Sequence, residues 1–173
     1  DNDTAGPALE VGVVSSVNGN WTTVTLGRTY TSMVVVATVN YGNGDNPMVT
    51  RIRNASGNSF EVRVQRPNNG AVPGSGFDVH YLAVEAGTYM AANDGIDMEA
   101  VRFTSTVTDE NNSWVGQSRS YANTYTNPVV VGQVMSANDA DWSIFWASNG
   151  SRSAPPSNSS LSVGKHVAED LVT

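Results

Sequence analysis

The sequence predicts an all-β protein, an antiparallel β-sandwich in two related halves, and three observations predict it. Valine occurs 25 times against 5 leucines and 3 isoleucines, with abundant threonine, serine and asparagine. Branched β-formers combined with turn residues favour strands joined by short loops over helices. Short runs with strand patterning recur along all 173 residues, divided by Asn-, Asp- and Gly-rich breakers. Finally, a ten-residue stretch recurs with six of its ten residues unchanged.

Taken in order, Leu9–Val17 (LEVGVVSSV) reads as a strand ended by Asn18-Gly19-Asn20, a tight-turn signal. The next strand, Trp21–Leu26, alternates Thr22, Val24 and Leu26 with Trp21, Thr23 and Thr25. Met33–Val39 (MVVVATV) is a continuous apolar run, predicted to be a central strand buried on both faces. After the loop Asn40–Pro47, Met48–Arg53 and Ser59–Gln65 form a pair divided by Asn54-Ala55-Ser56-Gly57-Asn58. In the second of these Phe60, Val62 and Val64 face one way and Glu61, Arg63 and Gln65 the other, the pattern of a half-buried strand. Residues 67–75 are a loop, and Gly76–Ala86 closes the first half. Met98–Val107, Trp114–Ser120, Pro128–Met135, Trp142–Trp146 and Leu161–Val167 read as strands of the second half. No helix is predicted.

The repeat lies between Tyr30-Thr31-Ser32-Met33-Val34-Val35-Val36-Ala37-Thr38-Val39 and Tyr125-Thr126-Asn127-Pro128-Val129-Val130-Val131-Gly132-Gln133-Val134. A tryptophan precedes each copy, Trp21 and Trp114, at slightly different spacing. A duplication divides the chain into residues 1–87, a linker at 88–97 and a second unit at 98–173. The second unit reaches Leu161-Ser162-Val163, its equivalent of Phe60-Glu61-Val62, with too little chain left for a further strand like Gly76–Ala86. Another chain or segment is therefore expected to supply that strand, or the second unit is built differently.

Composition narrows the partners. Nine basic against 16 acidic residues give a net charge of −7, and Lys165 stands alone among eight arginines. Nucleic-acid binding needs clustered positive charge, so it is not expected. No apolar run reaches membrane-spanning length. With no cysteine, disulfides, Cys-ligated zinc and thiol catalysis are excluded. The start, Asp1–Pro7, has neither an initiator Met nor the regions of a signal peptide and reads as a processed end or a segment of something longer. Low charge with many Ser, Thr and Asn suits a secreted or cell-surface bacterial protein.

Residues 20–87 carry a family resemblance. Trp21, the Tyr-Thr-Ser-Met-Val-Val-Val-Ala strand, Arg51-Ile52-Arg53, Ser59–Val64 and Phe77-Asp78-Val79-His80-Tyr81-Leu82-Ala83-Val84-Glu85-Ala86-Gly87 follow one another in an order that resembles the H-type lectin domain. Met33 stands where that family usually has proline, and Pro128 of the second half fits it. The resemblance implies a six-stranded antiparallel sandwich that binds galactose-type sugars, often as an oligomer. The whole chain also resembles duplicated modules appended to large secreted bacterial proteins, polysaccharide-degrading ones among them.

Catalytic constellations are not found. His80 and His166 are the only histidines, on strands of different halves, and there is no Gly-X-Ser-X-Gly elbow, His-Glu-X-X-His, P-loop or dinucleotide motif. Most acids sit in turns, where turn chemistry explains them. Calcium is left open as a ligand, with Asp109, Asp139 and Asp141 as candidate oxygen donors beside the 40–46 and 109–112 loops. Sugar binding needs an aromatic face with polar groups around it. The lectin resemblance points to Asp45, Arg63, His80 and Tyr81 in the first half, with His80 and Tyr81 on opposite faces of one strand. In the second half Trp142, Ile144 and Trp146 share a face; if it is open it is a stacking platform, with Arg152, Lys165 and His166 as donors. The expected function is a non-catalytic carbohydrate-binding module whose partners are a glycan and a second copy or neighbouring chain. The alternative is a structural or adhesive surface subunit assembling by strand exchange, with Leu9–Val17 as donor.

Overall fold

The computed structural model describes residues 6–109 and 114–167. Its first half contains β1 (Leu9–Val17), β2 (Thr22–Tyr30), β3 (Met33–Asn40), β4 (Val49–Gln65) and β5 (Phe77–Glu85). One sheet runs β1-β5-β3 and the other pairs β2 with β4, all antiparallel. β4 is not one straight strand. Residues 53 and 61 would be about 26 Å apart in an extended chain, yet the Arg53 guanidinium donates to the Glu61 carboxylate at 2.8 Å. The chain therefore reverses within β4, at the predicted turn Asn54–Asn58, where Asn54 and Gly57 take φ of 52° and 59°. Counting both arms of β4, two layers of three strands face each other.

Fifteen buried hydrophobic side chains fill the space between the layers, and all belong to this half. Phe60, Val62 and Val64 point inward from β4, as their alternation predicts, against Met33, Val35, Val79 and Ala83 of the other sheet. The central strand is β5; β3, expected to be central, lies at the sheet's edge. Its other edge is met from both halves: the Val35 amide points to Met135 Sδ at 3.4 Å, and the Thr50 hydroxyl of β4, which also exchanges hydrogen bonds with Gln133, donates to Ala37 O. Continuous apolar patterning reports that both faces are covered but not which neighbour does it. The Asn18-Gly19 turn likewise joins strands of different sheets, with Val64 N–H donating to Asn18 O, rather than closing a hairpin.

Residues 88–97, expected to be a linker, lie within a short antiparallel pair, β6 (Gly87–Tyr89) with β7 (Met98–Ala100), joined by one helical turn, α1 (Ala91–Asp94). That turn and a 3-10 turn at Pro67–Asn69 are the only helical elements among the described residues.

The second half forms one three-stranded sheet, β8-β10-β9, from β8 (Gln117–Ser120), β9 (Ser143–Ser148) and β10 (Ser160–Val167). Its register repeats that of the first half. Thr22↔Val62 and Val24↔Phe60 on β2 and β4 correspond to Gln117↔Val163 and Arg119↔Leu161 on β8 and β10. Gln117 is as far from Thr22 as Tyr125 is from Tyr30, so the shift that aligns the Val-Val-Val copies also aligns β2 with β8, while β4 and β10 correspond at a shift six residues longer.

The expected strands Met98–Val107 and Pro128–Met135 are the exceptions. Only Met98–Ala100 pairs; residues 101–107 and 128–135 belong to no ladder. In the first half the equivalent of each would pair with β5, and no described residue occupies that place in the second. The packing follows: Ala100 and Val163 are the only buried hydrophobic residues between 98 and 167, among those described.

The halves also meet at a buried clamp, beside the contacts of Gln133 and Met135 and the Arg102 guanidinium donating to Met33 O and Ala55 O. Arg51 is fully buried, and its guanidinium donates to Gln65 Oε1 and to the carbonyls of Asp139 and Asp141; Gln65 Nε2 donates to Ala140 O. Burial, with the charge of Arg63 nearby, holds the Arg51 pKa below its ordinary value. A buried cation is tolerated here because three acceptors replace its water.

Candidate functional site: an aromatic cleft on the second half

At the positions corresponding to Trp21 and Arg63, the second half has Gly116 and Gly164. These glycines have a steric purpose. A Cβ at either position would overlap the Trp146 indole, so their absence lets Trp146, from the neighbouring β9, lie flat on the sheet's outer surface. Trp114 meets it edge-on, with ring centroids 5.5 Å apart and planes at 66°, and His166 stacks on Trp114 at 6.2 Å and 20°.

Trp114 has a φ of 96°, a strained conformation for a bulky residue. The Asp109 carboxylate, 1% exposed beneath it, holds it there, accepting from Trp114 N–H at 2.6 Å and Val115 N–H at 3.4 Å. His166 Nδ1 lies 3.4 Å from the other Asp109 oxygen. That contact fixes the ring against Trp114; His166 supports the indole and does not itself line the cleft. Trp114 and Trp146 border a cleft of about 400 Å³ whose other walls include Ser118, Ser148, Asn149, Arg152 and Ser162. Its volume is that of a small-molecule site, and it offers an aromatic surface with hydroxyl, amide and guanidinium groups around it.

The corresponding face of the first half is closed. Trp21 lies under two guanidiniums, Arg53 at 4.2 Å and Arg63 at 4.8 Å from the ring centroid. Arg53 is in turn held by Glu61. Hydrogen bonds from Arg53 and Asn54 push the Glu61 pKa below its ordinary value. Burial and the Arg53 charge lower that of Arg63. A ligand ring would have to displace a cation–π pair to reach Trp21.

The predicted site residues are therefore dispersed. Trp146 and His166 meet in the aromatic cluster, and Arg152 lines the cleft. Lys165 points to the opposite face, donating to Ser105 O. Trp142 precedes β9, beside the loop held by Arg51, and does not line the cleft. Arg63 covers Trp21. His80 is exposed on the outer face of β5, while Tyr81 packs inward on Phe60, ring centroids 5.3 Å apart. Burial and Glu10 raise the Tyr81 pKa. Asp45 sits in an exposed turn, accepting from Gly42 N–H.

Of the calcium candidates, Asp109 is engaged beneath Trp114 and Asp139 accepts from Asp141 N–H, an Asx turn. Glu110, Asn111 and Asn112 lie outside the described residues, as do Asp1–Ala5 and residues 168–173. Among the described residues no three acidic or histidine side chains are placed to hold a metal ion.

Trp114, Gly116 and Gly164 were missed as site residues, although isolated glycines within strand patterns are a readable sign of close approach. Fold and site together define an all-β, sandwich-type protein with an open aromatic cleft. No helix among the described residues is long and apolar enough to cross a membrane. Comparison with family models, curated proteins and solved structures finds no match to this chain.

Proposed function

We propose that the protein is a non-catalytic carbohydrate-binding module, acting outside the cell, that takes a sugar ring in the cleft beside Trp114 and Trp146. The observation that carries this reading is the pair of indoles, edge to face, Trp114 exposed and Trp146 half-buried, walled by serine hydroxyls, Asn149 and Arg152. An apolar sugar face needs the first and its hydroxyls need the second. The resemblance of residues 20–87 to H-type lectin domains supports the same class of ligand. It pointed, however, to the first half, where two arginines cover Trp21.

A glycan array followed by calorimetry on the best binder tests the reading. Trp146→Ala and Trp114→Ala should each weaken binding about tenfold or more, while His80→Ala leaves it unchanged. No binding by the folded protein across a broad array overturns it.

A further inference from the structure

Strand register lays out the polar floor of the cleft. On β10, Ser160 stands opposite Ser120 of β8, and Ser162 stands opposite both Ser118 of β8 and Ser148 of β9. Side chains alternate along a strand, so these serines share the outer face with Gly164 and Trp146. The Trp146 indole lies against Gly164 and Gly116 at one end of the cleft. The serine rows lead away from it, towards the loop that follows β9. That loop is closed on itself, with Asn149 N–H donating to Ala154 O and Ala154 N–H to Ser151 O, and it sets Asn149 and Arg152 along the cleft.

The charge along this floor has one sign. The chain carries −7 overall, yet among the described residues two arginines and no carboxylate line the cleft. Arg119, paired with Leu161, is occupied over the Phe103 ring at 4.2 Å. Arg152 is exposed, and its guanidinium makes neither an ion pair nor a hydrogen bond among the described residues. A sugar hydroxyl both donates and accepts, so a neutral sugar gains most from carboxylate acceptors, whose hydrogen bonds are about twice as strong as those of neutral groups. The serine hydroxyls and the Asn149 amide serve both roles. The guanidinium only donates, and its complement is a group that only accepts.

We propose that the cleft takes an acidic saccharide, with an uncharged ring face on Trp114 and Trp146 and an oxyanion at Arg152, the carboxylate of a uronic acid or a sulfate ester. The inference rests on sugar binding at this cleft and names the class of sugar. The guanidinium fork takes two oxygens of one oxyanion, which leaves Asn149 and the serines for ring hydroxyls. The net charge of −7 opposes an anion only weakly, because exposed charges beyond about 8 Å are screened at physiological salt.

A glycan array printed with uronate-containing, sulfated and neutral oligosaccharides, followed by calorimetry, tests the proposal. The best binder should be acidic. The same glycan with its carboxylates methyl-esterified, or its sulfates removed, should bind about tenfold more weakly, and whichever treatment weakens binding identifies the oxyanion. Arg152 has no partner within the fold to lose, so its variants keep the structure. Arg152→Gln should bring the charged and neutralised forms to within about twofold of each other. Arg152→Lys should restore part of the preference, since an ammonium keeps the charge but not the fork. Trp146→Ala, by contrast, should weaken both forms alike. The proposal is overturned if neutral glycans bind as tightly as acidic ones, or if Arg152→Gln weakens both forms of the glycan equally; sugar binding itself then stands. Binding to no glycan of the array overturns sugar binding and this inference together.

Discussion

Val35 on β3 and Val130, its repeat, stand in the same Val-Val-Val context with different fates. Val35 is fully buried, with Val34 and Val36 flanked by β5; the segment around Val130 has no ladder partner among the described residues and exposes the valines on either side of it. The same contrast holds across the halves. The first has two complete layers and a core of fifteen buried hydrophobics, and its aromatic outer face is closed by Arg53 and Arg63. The second has one complete layer and an open aromatic face. Equal strand propensity thus yields a closed sandwich only where a strand pairs with it: among the described residues β5 pairs with β3 and none pairs with 128–135. Propensity describes what a residue prefers beside a partner and does not supply the partner.

The comparison can be broken from either side. The largest effect is expected in the first core, where Phe60→Ala should cost about 3–5 kcal/mol in urea unfolding. Val163→Ala, in the equivalent sheet of the second half, should cost about 1 kcal/mol, because Val163 is buried outside the fifteen-residue core and its side chain is smaller. Equal losses would mean that the second core is as complete as the first.

Next comes the clamp between the halves. Arg51→Ala removes the guanidinium from Gln65 Oε1 and from the carbonyls of Asp139 and Asp141 and should cost about 2–3 kcal/mol. Proteolysis should then cut the second half first, while the first stays protected. In the cleft, Gly164→Ala should displace the Trp146 indole. That change should weaken sugar binding and alter tryptophan fluorescence while leaving the unfolding midpoint of the first half nearly unchanged.

The smallest effect concerns Glu61. Its pKa is lowered on folding by hydrogen bonds from Arg53 and Asn54. Its contribution is therefore present above the ordinary carboxylate range and is lost as pH falls through the lowered value. Arg53→Ala should flatten that acid limb slightly, seen as a smaller drop in urea midpoint between about pH 7 and about pH 3.

Local features were legible in the sequence. β1 has the predicted bounds, Leu9–Val17; the reversal at Asn54–Asn58 is where the breakers put it; and Phe60, Val62 and Val64 face the core as their alternation requires. The order of strands in a sheet was not legible, because Met33–Val39 and Gly76–Ala86 are both apolar enough to be central. Pairing decides between them. In the aromatic cluster, Trp146 was singled out from a dense aromatic stretch and His166 as a donor beside it. Trp114 was not, because what distinguishes it, a backbone held at positive φ by a buried Asp109, arises only in three dimensions. Arg63 and Tyr81 were drawn from the lectin resemblance, and packing uses both: one covers an indole, the other fills the core.

Native-state hydrogen exchange on the chain alone tests the central contrast most directly. Amides of β3 and β5 should exchange slowest, those of β8, β9 and β10 at intermediate rates, and those of 128–135 nearly as fast as unstructured chain. Protection of residues 128–135 equal to that of Met33–Asn40 would show that the second half is already complete and would contradict the account.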